Sequence, residues 1–131
     1  MHELSRGQVL ALLRWGPEKL RYAVATGRLP AYRRGKFLFY DVADLWKFSE
    51  AREALEQLLR FSPRTEAGTH FTSAFSRWWD LEQAGLIRVH RPVHPETGIQ
   101  YSQEYWDAEL TEQGKEVVEY LQELAEHGHL E

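Results

Sequence analysis

Positively charged side chains that could bind phosphate are concentrated in the first third of the chain. From Arg6 to Lys36 there are eight basic residues against one acidic residue, Glu18, giving a net charge of +7. Several Lys or Arg side chains on one surface bind nucleic-acid phosphates by releasing condensed counterions. An Arg can also donate two hydrogen bonds to guanine. The basic residues of this segment are Arg6, Arg14, Lys19, Arg21, Arg28, Arg33, Arg34 and Lys36.

The rest of the chain is acidic, which explains why the whole protein has a net charge of −4. Residues 51–131 contain seven basic and fifteen acidic residues, giving −8. Salt screens exposed charges beyond about 8–10 Å. A basic segment can therefore bind phosphate locally although the remainder of the chain repels it.

The basic segment must be positioned by two short helices. Ser5 and Gln8 have the spacing of a capping box, which predicts a helix start. Gly16 and Pro17 break that helix, and Pro17 suits the first position of the next one. The second helix is predicted to run to about Thr26, with Gly27 as its stop. Two helices joined by a tight turn containing glycine form the helix-turn-helix pattern.

A hairpin and a further helix are predicted after the second helix. Residues 29–33 and 37–40 form two short strands, and residues 34–36 form the turn between them. Asp41 has the position of an N-cap. The following apolar pattern fits either one long helix reaching Arg60 or two helices separated near Ser49.

This arrangement resembles the DNA-binding domain of the excisionase and mercury-resistance-regulator superfamily. The resemblance is carried by Gly27, Leu29-Pro30, Arg33, Gly35 and Asp44-Leu45. It implies that the second helix enters the major groove and that the hairpin, or wing, contacts the neighbouring backbone or minor groove. The implied DNA-binding residues are Lys19, Arg21, Tyr22 and Thr26 on the helix, and Arg28, Arg33, Arg34 and Lys36 around the wing.

The second half repeats the order helix, strand, loop, strand, helix. Phe61 to His70 reads as a boundary, and Thr72 or Ser73 as the cap of a helix carrying Phe75, Trp78, Trp79 and Leu81. Residues 86–90 and 99–109 are predicted strands, and Thr111 caps the last helix. This half resembles the winged-helix part of MarR- or PadR-type regulators through residues 81–87 and 110–117.

Together these patterns predict a mainly α protein with short β-hairpin wings, built from two small winged-helix units. The first unit covers residues 1–48, a connecting helix and linker cover 49–70, and the second unit covers 71–131. Two further surfaces are expected in the second unit. A second DNA-binding patch would use Arg77, Arg88, His90 and Arg91, and a self-association stripe would use Val117, Leu121 and Leu124 on the last helix.

Other chemistry is disfavoured by the residue types and their spacing. His90 and His94 lie on a strand and a proline-rich loop without an evident third ligand, so no metal site and no cofactor are expected. Glu104, Asp107 and Glu109 are read as a solvated edge, and no phosphate-binding loop or hydrolase motif is present, so an enzyme is not expected. The chain has no cysteine and no apolar run near the ~20 residues of a membrane helix. A cytoplasmic location without membrane contact is expected.

The sequence therefore predicts sequence-directed binding to double-stranded DNA by a small prokaryotic or phage regulator, and a homodimer is expected. A transcriptional repressor, a recombination directionality factor and a DNA-packaging recognition subunit all fit this prediction. The alternative is a protein-interaction adaptor whose acidic C-terminal unit binds a polymerase or another protein.

Overall fold

The structure, a computed structural model, describes residues 2–61, 69–70 and 76–130, with only the backbone described at 69 and 70. Most of the predicted boundary after Phe61 falls outside the described residues. So do Thr72, Ser73 and Phe75, which were predicted to begin a helix.

The N-terminal half contains a small sheet beside two helices. In chain order it comprises β1 (Glu3–Ser5), α1 (Arg6–Leu13), α2 (Pro17–Ala25), β2 (Tyr32–Arg34) and β3 (Phe37–Asp41). The sheet is antiparallel, in the order β1-β3-β2. The hairpin is confirmed, but residues 29–31 are not part of its first strand. The additional strand β1 pairs Leu4 with Tyr40 and buries both side chains.

The turns around α1 and α2 follow the predicted local chemistry. The Ser5 hydroxyl accepts from the Gln8 backbone N–H, and the Ser5 N–H donates to the Gln8 side chain over 2.9 Å. Pro17 occupies the first turn of α2, and Gly27 follows that helix with a φ of +77°. A positive φ is readily adopted by glycine, which explains why α2 ends there.

Two helices follow the hairpin instead of one long helix. They are α3 (Val42–Leu45) and α4 (Ser49–Leu58). Asp41 caps α3 by accepting a hydrogen bond from the Ala43 N–H over 3.2 Å. The chain leaves the helical path at Phe48, whose extended backbone precedes α4. This is the second of the two predicted alternatives.

The C-terminal half contains β4 (Thr69–His70), α5 (Trp78–Gln83), β5 (Ile87–His90), β6 (Asp107–Leu110) and α6 (Glu112–Glu126). Its antiparallel sheet has the order β4-β6-β5. The predicted strand over residues 99–109 is largely wrong, because only its last three residues join β6. The preceding residues form a loop with a bridge between Val93 and Gln100 and one 3-10 turn.

The two halves share one hydrophobic core. Buried residues of α1, α4, α5, β6 and α6 belong to the same cluster. The Gln8 side chain of α1 donates both to the Ala84 carbonyl, over 2.8 Å, and to the Gln113 side chain, over 2.7 Å. Both halves therefore pack on a common core. As predicted, helices predominate, and two small antiparallel sheets accompany them.

Arg77 lies inside this core, so its predicted role in a second DNA patch is wrong. Only 2% of its surface is exposed. Its guanidinium donates to Asp80 over 2.6 Å and to the backbone carbonyls of Leu12 and Glu50. A buried guanidinium with these partners joins α1, α4 and α5 and cannot reach a phosphate outside.

The predicted self-association stripe on α6 is also mostly wrong. Val117 and Leu121 are fully buried in the core of their own chain, and Leu124 is half-buried. Gly114 explains how closely α6 approaches the sheet, because a Cβ there would lie 1.9 Å from the Leu86 carbonyl oxygen. The opposite face of α6 is exposed and carries Glu112, Glu116, Glu119, Glu123 and Glu126.

Candidate nucleic-acid interface

The outer face of α2 presents polar and charged side chains to solvent. Leu20 and Ala23 are buried on its inner face, and Val24 is half-buried. Because helical residues three and four positions apart share a face, burial of this stripe turns the remaining positions outward. Lys19, Arg21 and Tyr22 are all exposed, and Tyr22 has an exposed fraction of 65%.

Thr26 has a structural task at the end of α2. Its hydroxyl donates to the Tyr22 carbonyl over 2.9 Å and lies 3.3 Å from the Ala23 carbonyl. Since the proton is committed to the helix, this hydroxyl can offer a ligand only an acceptor oxygen. Thr26 is exposed, but it is less suited to phosphate than the neighbouring cations.

The β2–β3 hairpin holds a second group of exposed cations beside α2. Gly35, with a φ of +61°, forms the turn between Arg34 and Lys36. Arg33 and Lys36 are exposed, whereas Arg34 forms an ion pair with Glu3 of β1. Arg34 is consequently less available for phosphate than its two neighbours.

A hydrogen bond connects the hairpin to α3. The Tyr32 hydroxyl donates to Asp44 over 3.4 Å. The negative charge of Asp44 raises the pKa of Tyr32, and burial together with the nearby Asp41 raises the pKa of Asp44. The tyrosine therefore stays protonated and available as a donor, which helps to hold the base of the hairpin.

Five exposed cations on α2 and the adjoining loop and hairpin are without a carboxylate partner. Within the part of the chain that the structure describes, no ion pair involves Lys19, Arg21, Arg28, Arg33 or Lys36. Lys19 is placed over the ring of Trp15, with 4.8 Å from Nζ to the ring centroid. This contact leaves the ammonium donors free on the other side, so all five cations can meet an anion.

The remaining cations of the predicted second DNA patch, Arg88, His90 and Arg91, already contact carboxylates. Arg88 and His90 both contact Glu109, over 2.8 and 3.2 Å. Arg91 forms two hydrogen bonds of 2.7 Å with Glu82 and lies over the rings of Trp78 and Trp106. A phosphate would have to displace these carboxylates, so the geometry favours the α2 and hairpin surface over this one.

An open groove of about 660 Å³ separates α2 from β3. Arg21 and Lys36 are at its edges, and Leu20, Val24 and Leu38 line its apolar part. The groove also includes Arg6, which sequence reasoning counted as a charge but did not include among the site residues. Arg6 lies near the hairpin because β1, which precedes it, pairs with β3. A strand of three residues is too short to give a clear pattern in the sequence.

No group of three His, Asp or Glu side chains suited to a metal ion occurs among residues 2–61 and 76–130. In the described chain, no helix combines the length and apolarity needed to cross a membrane.

Comparison of the chain with protein-family models, with curated proteins and with solved structures gave no match.

Proposed function

We propose that this protein binds double-stranded DNA through α2 and the β2–β3 hairpin, which act as the recognition helix and wing of a winged helix-turn-helix. The observation that carries the proposal is a group of five exposed cations on α2, the loop after it and the β2–β3 hairpin, none of which forms an ion pair with a described residue. Unpaired surface cations at this density bind a polyanion by counterion release. Elsewhere in the described chain, most exposed cations near the C-terminal sheet already have carboxylate partners.

The dimensions of α2 agree with this role. A helix with its side chains is about 10–12 Å across and fits the B-DNA major groove, which is about 12 Å wide. Arg21 and Tyr22 would then approach the base edges, and Lys19 would approach a phosphate. Arg33 and Lys36, on the hairpin, would hold the neighbouring backbone.

The acidic face of α6 sets the orientation of the complex. Its five glutamates are exposed and would repel phosphates. Charge of opposite sign on two surfaces of one molecule steers the basic surface towards DNA and the acidic surface away from it. Among regulators, a repressor, a recombination directionality factor and a DNA-packaging recognition subunit of a prokaryote or phage remain the proposed roles.

A second candidate function is a protein-interaction adaptor. It is favoured by the large exposed apolar side chains of the C-terminal half, Trp79, Val93, Ile99 and Tyr105, whose exposed fractions range from 52% to 69%. Exposed apolar patches with a polar rim often mark protein interfaces. The net charge of −8 over residues 51–131 suits a basic partner.

Fluorescence anisotropy with a labelled random-sequence duplex of about two helical turns tests the proposal. The double variant Arg21→Ala/Arg33→Ala should lose at least tenfold in affinity. The matched control is Arg60→Ala, which removes an exposed cation at the end of α4. Equal affinities for all three proteins would contradict the proposal, and so would the absence of duplex binding by the wild type.

A further inference from the structure

The groove between α2 and β3 has the size and lining of a small-molecule site. Leu20 and Tyr40 are 1% and 2% exposed and lie against the half-buried Val24 and Leu38. Its volume of about 660 Å³ is within the roughly 300–1,000 Å³ that small-molecule sites occupy. A small apolar molecule therefore fits the volume of this groove.

One end of the groove is suited to negative charge. Ser5, Arg6 and Gly7 line it, and the last two form the start of α1. The first N–H groups of a helix have no carbonyl partner within it, and the helix dipole makes that end positive. The Arg6 side chain is exposed and takes part in no ion pair among the described residues. A Cβ added at Gly7 would meet open space, so a ligand can approach this turn closely.

The Tyr40 hydroxyl adds a neutral hydrogen-bond donor to the groove. Tyr40 lines the groove, is almost completely buried and makes no hydrogen bond with any described residue. Unlike the enclosed Trp15 indole nitrogen, which also lacks a partner, this hydroxyl can be reached by solvent and therefore by a ligand. Arg6 and Tyr40 line the same groove. Burial raises the pKa of Tyr40, and the positive charge of Arg6 acts in the opposite direction. The uncharged phenol can therefore donate a hydrogen bond to an acceptor on a ligand.

We propose that this groove binds a small amphipathic carboxylate. Its apolar body packs between Leu20, Val24 and Leu38. Its carboxylate accepts hydrogen bonds from the Tyr40 hydroxyl, the Arg6 guanidinium and the first turn of α1. Binding of this ligand does not depend on the proposed DNA function, but one consequence does: because Arg21 and Lys36 also line the groove, the ligand competes with duplex DNA for the same two elements.

The test is a titration of the full chain with naphthoate, followed by two-dimensional amide NMR. Two matched probes separate the parts of the ligand: naphthamide has the same rings without charge, and acetate has the charge without rings. We expect naphthoate to bind at least tenfold more tightly than either, with the largest shifts at Arg6 and Gly7. Equal binding of naphthoate and naphthamide, equal binding of naphthoate and acetate, or largest shifts outside the groove would overturn the proposal.

Two variants test the polar end. Tyr40→Phe and Arg6→Gln should each weaken naphthoate binding about tenfold or more, as expected for a hydrogen bond to a charged group. Tyr105→Phe and Arg60→Gln are the controls, since neither residue lines the groove, and both should bind naphthoate like the wild type. If Tyr40→Phe does not fold, Arg6→Gln decides alone, because its side chain is exposed. Unchanged affinity in a folded Arg6→Gln variant would overturn the proposal.

Adding duplex DNA separates this proposal from the function on which its consequence rests. Naphthoate should raise the apparent Kd for duplex linearly with its free concentration, as competition for one site requires. A protein that binds naphthoate at Arg6 and Gly7 but binds no duplex would contradict the DNA function alone. A protein that binds duplex but fails to bind naphthoate would contradict the groove site alone.

Discussion

The Arg77 guanidinium donates a hydrogen bond to the Leu12 backbone carbonyl across 2.7 Å, although 65 positions of sequence separate them. Leu12 is near the end of α1, where helix carbonyls lack partners within the helix. The same guanidinium forms an ion pair with Asp80. One buried cation thereby connects the helix that precedes the proposed recognition helix to the C-terminal half of the chain.

Arg77→Ala should lower the free energy of unfolding by about 3–5 kcal/mol, the usual cost of removing one member of a buried ion pair. Chemical denaturation followed by tryptophan fluorescence measures this loss. The exposed Arg60→Ala variant should stay within about 0.5 kcal/mol of the wild type. A similarly small effect for Arg77→Ala would show that the guanidinium is dispensable to the fold.

Gly114→Ala should destabilise the protein by about 1–3 kcal/mol, since the new methyl group would collide with the Leu86 carbonyl. Gly7→Ala is a matched substitution in another helix, where the added Cβ meets open space. It should be neutral or stabilising by up to about 1 kcal/mol, because alanine favours helix more than glycine does. Thermal unfolding of both variants checks the pair. Two stabilised proteins would contradict the close approach of α6 to the Leu86 carbonyl.

Tyr120→Phe should remove a stabilising hydrogen bond that the wild type loses at alkaline pH. The Tyr120 hydroxyl donates to Asp41 over 3.2 Å, and burial followed by the charge of Asp41 raises the pKa of Tyr120 to about 12. The folded state thus holds a proton that the unfolded state, with an ordinary pKa near 10, has released. By linkage the wild type loses stability as the pH rises from about 10 to about 12, whereas the variant lacks this loss.

Urea denaturation at several pH values measures this difference. At pH 8 the wild type should be the more stable protein by about 1 kcal/mol, the usual contribution of one hydrogen bond. Its advantage should shrink above pH 10. Tyr105→Phe, which changes an exposed tyrosine, is the control. An advantage that stays constant up to pH 11 would rule out the Tyr120–Asp41 contact as its source.

Arg21→Ala should weaken binding to a preferred DNA site by about 1–3 kcal/mol and relax the preference at one base pair. The preferred site is first obtained by selection from random duplexes. Affinities for the selected and a random duplex are then compared between wild type and variant. Arg28→Ala, on the loop after α2, should weaken both duplexes alike. A wild-type ratio of affinities in Arg21→Ala would remove this side chain from base recognition.

Local signals in the sequence predicted the elements that carry the proposed interface. The capping pair Ser5 and Gln8, the Pro17 start and the Gly27 stop each act within a few residues, so their outcome depends little on the rest of the fold. The exposure of Lys19 and Arg21 follows from the apolar stripe on the opposite face of α2.

Long-range contacts account for the predictions that failed. The sequence does not distinguish an arginine at position 77 that faces solvent from one that is buried. In the structure its guanidinium is buried and donates to Asp80, Glu50 and Leu12. The apolar stripe with Val117 and Leu121 correctly indicates a buried face, but sequence does not say whether a second chain or the same chain covers it. The groove end at Arg6 likewise depends on the pairing of β1 with β3.

The salt dependence of duplex binding tests the central claim most directly. If the five unpaired cations on α2, the loop after it and the hairpin each neutralise one phosphate, log Kobs should fall against log salt concentration with a slope of about −4 to −5. Removing one hairpin cation by Lys36→Ala should reduce the magnitude of that slope by about one. A slope near zero for the wild type, or the same slope in Lys36→Ala, would contradict the account.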